Sequence, residues 1–378
     1  MKPIENRPFD DIAVGDTVDL HGRVVSKDAA RQFITLDCAA AAPAAARATA
    51  GRLRGTSPAG QLATAAGAAS GGQAARFQAL IAAAAGLPPA RAAVVHPCDT
   101  LSLKGALEAA DKGMIVPVLV GPRGKIEAAA QEAGASLKGI EIIEAPHSHA
   151  AAERAVALVR EGKAELLMKG KLHTDELMAP AVDPDRGLRT ERRMSHVFAL
   201  DVPHYPKLLF ITDAAINIFP DLETKRDIVQ NAIDLAQALG IGRPKVALLS
   251  AVETVYPKIP STIEAAALCK MLDRGQITGG VLDGPLAIDN AISREAAAAK
   301  GISSEVAGDA DILMVPDLEA GNMIAKQLVY LASAQAAGIV LGARVPIVLT
   351  SRADGVLARL ASTAMARIHA AHHRAPRQ

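Results

Sequence analysis

The sequence predicts an α/β protein with mostly parallel sheets, and three observations carry that prediction. From about residue 76, short apolar runs alternate with longer amphipathic stretches, the runs are apolar throughout rather than at every second position, and many of the stretches close on a glycine. A run that is apolar throughout reads as a strand buried on both faces, and a stretch of helical period ending in Gly reads as a helix with its C-terminal cap. Alternating the two gives a sheet covered by helices on both sides.

The runs are AAVVHP (92–97), IVPVLVG (115–121), IEIIEA (140–145), AELLMKG (164–170), KLLFITD (207–213), KVALLSA (245–251), GGVLDG (279–284), ILMVPD (312–317) and VPIVLTS (345–351). Helical stretches such as LETKRDIVQNAIDLAQALG and SREAAAAKG lie between most of them. Nine strands over this length suit two smaller sheets, hence two α/β/α domains, better than one large sheet. Ligands in such folds sit beyond the carboxyl ends of strands. Attention therefore falls on the residues after each run: His96 to Asp99, Gly121-Pro122, Lys169 to Lys171, Thr212-Asp213, Glu253-Thr254, Asp283-Gly284, Pro316-Asp317 and Thr350 to Arg352.

The N-terminal part has another texture. Residues 1–38 offer two short strand candidates, DTVDLHGRVV and RQFITLD, too little for a core of their own. Residues 39–75 hold 17 alanines in 37 positions, broken by Pro43, Pro58 and several glycines, and offer few large apolar side chains to pack. They predict an irregular linker with transient helix.

Composition narrows the function. With 41 basic and 40 acidic residues, no Trp, three Tyr and six Phe, the chain lacks both the basic excess and the stacking rings of a nucleic-acid binder. Its three cysteines, Cys38, Cys98 and Cys269, are odd in number and far apart, so neither a disulfide framework nor a zinc site is predicted. The charged start MKPIENRPFDDIAVGD does not read as a signal peptide, and no run of 18 apolar residues is present to span a bilayer. A cytoplasmic protein without membrane contact is expected.

Familiar nucleotide signatures are absent: VGPRGKI is not a P-loop, and no GxGxxG follows a strand. There is no GxSxG, and His147-Ser-His149 lacks a third ligand at a recognisable spacing, so no metal site is assigned. Three stretches carry more. Residues 183–196, DPDRGLRTERRMSH, place Arg186, Arg189, Arg192 and Arg193 within eight positions. They form either a solvated turn paired with Asp183, Asp185 and Glu191 or a grip on phosphate through Arg189 and Arg192, since a guanidinium fork matches an oxyanion. In VPIVLTSRADG a strand ends at Thr350, Ser351 and Arg352 before a helix, which outlines an oxyanion pocket, although Ser351 and Asp354 equally suit a helix cap. In DADILMVPDLEAGNMIAKQL, Asn322 is positioned to donate from a helix start, and a loop-closing turn explains Gly321 and Asn322 as well.

The ordered series MKGKLHTDELM, GLRTERRMSHV, LLFITDAAINIFPDLETK, LDGPLAIDNAIS, DILMVPDLEAGNMIAKQL and VPIVLTSRADG resembles the phosphate acetyltransferase and phosphate butyryltransferase family over about residues 76–370. GLRTERRMSH looks closer to the butyryltransferase-like branch. The resemblance implies a homodimer of two-domain subunits with the active site in an interdomain cleft, domain I being 76–200 plus 338–378 and domain II 201–337. It implies the conversion of acyl-CoA and phosphate to acyl phosphate and CoA, the acetyl reaction foremost and the butyryl reaction as alternative, with the CoA thioester as substrate and no cofactor or metal. By that resemblance Ser351 hydrogen-bonds the thioester carbonyl, Arg352 holds phosphate, and Lys169, Arg189, Arg192, His196 and Asn322 bind substrate. Seven residues beyond the serine, where family members carry an acidic residue for the CoA thiol proton, this chain has Ala358. Asp354, one helical turn earlier, is the substitute. Residues 7–36 resemble the opening of MaoC-like enoyl-CoA hydratase domains, truncated before that family's catalytic aspartate and histidine. Two rivals compete with this reading: a decarboxylating dehydrogenase, which would need a metal-binding aspartate trio that Asp283, Asp289 and Asp317 do not form by spacing, and a degenerate CoA-binding protein.

Overall fold

The structure, a computed structural model, describes residues 74–351 and 354–374, together with the backbone of 17–18, 22–28 and 33–37. The chain separates into two compact units, Met1–Pro58 and Ala59–Gln378. In the first, β1 (Thr17–Val18), β2 (Gly22–Asp28) and β3 (Phe33–Asp37) pair antiparallel in that order. Both expected strands are there, the first divided in two. The alanine-rich segment lies outside the described residues as far as residue 73.

The second unit alternates helix and strand throughout. Its first half runs α1 (Ala75–Ala85), β4 (Ala90–Val95), α2 (Thr100–Asp111), β5 (Ile115–Gly121), α3 (Arg123–Ala133), β6 (Glu141–Glu144), α4 (Ser148–Arg160), β7 (Leu166–Lys169), α5 (Thr174–Val182) and β8 (Ser195–Asp201). Then come β9 (Leu209–Thr212), α6 (Leu222–Ala238), β10 (Lys245–Leu249), α7 (Pro260–Asp273), β11 (Val281–Leu286), α8 (Ile288–Ile292), α9 (Arg294–Ala299), β12 (Ile312–Met314) and α10 (Leu318–Leu331). The chain closes with β13 (Gln335–Leu341), β14 (Ile347–Val348) and α11 (Val356–Arg374).

All nine apolar runs form strands, but they join one sheet of eleven, in the order β11-β10-β12-β9-β8-β13-β14-β7-β4-β5-β6, rather than two separate sheets. The two extra strands, β8 and β13, are what unite it. They pair antiparallel with each other and with β9 and β14, while every other neighbouring pair in the sheet is parallel. The outer halves of the sheet therefore run in opposite directions. Carboxyl ends of β7 and β14 point one way, and those of β9, β10 and β12 the other.

Alternation along the strands sorts the core into layers. One face of the sheet carries a single hydrophobic layer from end to end, including Val94, Met168, Val197, Ala199, Phe210, Val246 and Ile339, against α1, α2, α3, α6, α7 and α11. The opposite face carries two layers. Around Val95, Leu167 and Ile347 the partners are α4 and α5, and around Ile211, Ala247 and Leu313 they include α10. The two layers are separate clusters, and the central strands lie where one gives way to the other.

Several polar residues that follow strands are occupied structurally. Asp99 caps α2 by accepting from Ser102 N at 2.7 Å, and Asp317 caps α10 by accepting from Ala320 N at 2.9 Å. Asp213 accepts from the backbone N–H groups of Ala215, Ile216 and Asn217. His147 caps α4, its Nδ1 accepting from Ala150 N at 3.2 Å. Gly321, expected in a turn, lies inside α10, where a Cβ would stand 2.9 Å from Asp213 O.

Candidate active site

A cleft of about 760 Å³ opens between the two layers of the divided face. Lys169, His196, Asn322, Ser351, Asp354 and Ala358 all line it, so five of the residues singled out from sequence converge with the alanine that replaces the expected acid. Leu172 and Leu349 belong to one neighbouring core layer and Ala325 and Ala334 to the other, and Phe198, Val329 and Tyr330 extend the apolar wall. The result is a hollow with an apolar wall on one side and polar groups such as Lys169, His173, Lys326, Thr350 and Asp354 on its lining, a form suited to a small polar ligand.

The polar wall is built where β7 and β14 end. Lys169, 4% exposed at the end of β7, sends Nζ to Thr350 O at 3.4 Å across the neighbouring strand. Beyond β14 the chain turns back on itself: Ser351 N donates to Asp354 Oδ2 at 2.6 Å and Asp354 N donates to Ser351 O at 3.2 Å. The first of these is the cap-like interaction anticipated from the sequence, and it leaves Ser351 exposed at the cleft rim. Burial raises the Asp354 carboxyl above its usual range, opposed by the Ser351 N–H and by the positive charges of Arg359 and Lys169. Arg352 lies outside the described residues.

Sequence reading missed Arg359. Only 2% exposed, it forks beneath the turn, with Nη1 donating to Thr350 Oγ1 at 2.8 Å and Nη2 to Ser351 O at 3.1 Å. Gly105 on α2 makes room for it, since a Cβ there would meet Arg359 Cδ at 2.7 Å. A basic residue one turn into an amphipathic helix reads as surface, and only the packing of α11 on α2 turns it inward. Across the cleft, Asn322 sits within α10 rather than at its start, its Nδ2 donating to Ala214 O at 3.3 Å.

The arginine cluster is elsewhere. Arg192 pairs with Asp234 of α6 and lines a different hollow, of about 350 Å³, with Arg344, His369 and His373. Arg189 is exposed, its backbone bridging to Ala343. Arg193 N donates to Asp227 Oδ2 at 3.0 Å, and Asp183 Oδ1 accepts the N–H groups of Asp185 and Arg186. Neither Arg189 nor Arg192 lines the cleft with Ser351; Arg192 is held by Asp234 at the other hollow, and Arg189 is exposed.

With this geometry in place, comparison with known proteins becomes decisive. A family model described as "Phosphate acetyl/butaryl transferase" matches residues 149–366. A phosphate acetyltransferase of Rhizobium meliloti is 66% identical over 303 residues, covering 80% of this chain and 96% of that protein. The chain belongs to the phosphate acetyl/butyryl transferase family. A phosphate butyryltransferase of Clostridium acetobutylicum is a more distant family member, 43% identical over 276 residues, covering 73% of this chain and 92% of that protein. The crystal structure of a branched-chain phosphotransacylase from Enterococcus faecalis V583 superposes with a TM-score of 0.66 at 31% identity, over 75% of this chain and 100% of that one. The span matched by the family model includes β8, β13 and Ser351.

Proposed function

We propose that this chain is a phosphate acyltransferase that converts a short-chain acyl-CoA, acetyl-CoA foremost, and inorganic phosphate into acyl phosphate and CoA. The observation that carries the reading is the convergence of Ser351, Asp354, Lys169 and Asn322 on one cleft. The acetyl preference is supported by 66% identity to a relative named phosphate acetyltransferase against 43% to one named phosphate butyryltransferase.

In the proposed reaction a phosphate oxygen attacks the thioester carbonyl carbon, negative charge gathers on the carbonyl oxygen, and the C–S bond then breaks to release thiolate. Ser351 donates to the growing oxyanion from the rim, an interaction stronger in the transition state than in the ground state. The Lys169 ammonium and, by family resemblance, Arg352 attract the phosphate dianion. Asp354, its carboxyl pKa raised by burial, exchanges the proton of the CoA thiol in place of the acid that Ala358 lacks. Asn322 offers an amide to the CoA arm.

The sheet's reversal at β8 and β13 supports a division into 76–200 plus 338–378 and 201–337 as two domains flanking the cleft. The reading has the chain act in the cytoplasm as a homodimer, with residues 1–38 a vestigial MaoC-like segment without hydratase activity. Among the described residues no helix is long and apolar enough to cross a membrane.

The test is thiol release from acetyl-, propionyl- and butyryl-CoA with and without phosphate. Phosphate-dependent release, fastest with acetyl-CoA, is expected. CoA binding without any such release would identify a degenerate CoA-binding protein instead.

A further inference from the structure

His196 is the most anomalous polar group in the cleft wall. It is 0% exposed, and neither ring nitrogen has a hydrogen-bond partner among the described residues. Leaving a buried polar group unpaired costs on the order of 1–3 kcal/mol. A leucine would fill this place at less cost, so the imidazole calls for an account.

The fold aims it deliberately. Along β8, Val197 and Ala199 enter the continuous core layer, so His196 and Phe198 face the side where the cleft opens. Phe198 meets the ring edge-on with centroids 4.4 Å apart, which fixes its orientation but supplies no strong acceptor. Thr212 Oγ1 donates to His196 O at 2.8 Å and pins the backbone. On the adjacent strand, Gly338 leaves the space into which the ring leans: a Cβ there would stand 2.7 Å from His196 Nε2 and 2.9 Å from Leu349 O. Leu349 is two residues from Ser351, so the imidazole and the serine turn border the same end of the cleft.

Burial holds the ring's pKa down to about 3. At neutral pH it is therefore uncharged, with one N–H to give and one lone pair, and too weak a base to deprotonate a thiol. A desolvated N–H of fixed direction is what a developing oxyanion needs.

We propose that His196 donates a hydrogen bond to the thioester carbonyl oxygen of the acyl-CoA, together with Ser351, as the second donor of the oxyanion site. This rests on the acyltransferase reading above. As phosphate oxygen bonds to the carbonyl carbon, the carbonyl π pair moves onto oxygen and is stabilised by the two donors. It returns as the C–S pair leaves on sulfur. The imidazole proton stays on nitrogen throughout, so the step balances as phosphate plus thioester to acyl phosphate plus thiolate.

The experiment compares His196→Gln with His196→Met, side chains of similar length with and without an N–H, in the full chain. Phosphate-dependent thiol release from acetyl-CoA and the Kd of free CoA, which has no thioester carbonyl, are both measured. Loss of one oxyanion donor predicts a kcat about 10²–10³-fold lower in His196→Met, with His196→Gln recovering at least about 10-fold of it. The Kd for CoA should stay within about 2-fold in both, since no contact with the thioester is involved. If His196→Met does not fold, His196→Leu takes its place. An active wild type whose donorless variant keeps its kcat overturns this inference alone, as does a CoA Kd that weakens in step with kcat, which would mark a packing role. A wild type that releases no thiol with phosphate overturns the acyltransferase reading together with it.

Discussion

Two arginine-bearing turns looked alike as sequence and behave differently in the fold. The turn after β14 brings Ser351 and Asp354 to the cleft over a buried guanidinium, Arg359, whereas in the turn before β8 Arg192 gives its guanidinium to Asp234 outside the cleft. The difference lies in the neighbours. Asp227 and Asp234 on α6 face the second turn, while the first faces the hydroxyl and carbonyl oxygens of its own backbone stretch. Counting guanidinium groups says little until their acceptors are known, because an arginine already paired with a carboxylate has little left for phosphate.

Mutations can break or sharpen that contrast. The largest effect is expected from Ser351→Ala, which removes a proposed oxyanion donor and should lower kcat about 10²–10³-fold while CoA binding persists. Steady-state thiol-release kinetics would check it, and an unchanged kcat would remove the turn from the chemistry. Next comes Arg359→Lys, which keeps the charge but loses the fork between Thr350 and Ser351. A kcat drop of about 10-fold and a lower melting temperature are expected, since a lysine cannot reproduce two parallel N–H contacts.

Asp354→Asn separates chemistry from stability. The carboxyl is raised above its unfolded value of 3.8 by burial. Between those two values the native state binds more protons, so wild-type stability falls as pH rises through that window. The asparagine variant escapes this loss: it should melt at or above the wild-type temperature at neutral pH, yet turn over about 10-fold or more slowly if the carboxylate handles the thiol proton. Melting curves from pH 3 to 8 that run parallel for the two proteins would refute the burial account. The smallest effect belongs to Arg192→Ala, which gives up a partly exposed ion pair worth roughly 0.2–1 kcal/mol. Its kcat and KM should stay within about 3-fold of wild type, since the ion pair lies outside the cleft. A large rise in KM for phosphate would restore the arginine cluster to the site.

Much of the fold was legible because buried parallel strands announce themselves as continuous apolar runs. The two strands that were not, SHVFALD and QAAGIVL, begin with polar or small residues and pair antiparallel. Their composition reflects the cleft: His196 and Gly338 are shaped for the hollow rather than for a core. The strands that hid from sequence reading are therefore those that bring His196 to the cleft and fuse the sheet. Lys169 and Ser351 were singled out at strand ends and Asn322 near a helix start, and the family resemblance gave them roles. Arg359 was out of reach, because its inward course depends on the contact between α11 and Gly105.

The pairing of β14 with β7 joins residue 347 to residue 167, with twelve of the helices and strands laid down between them. During synthesis, then, the half-sheet around β4 and β7 emerges from the ribosome long before the strand and helix that complete it. Its flank stays unzipped until β14 and α11 emerge, and the working hollow they border with β7 cannot form before then.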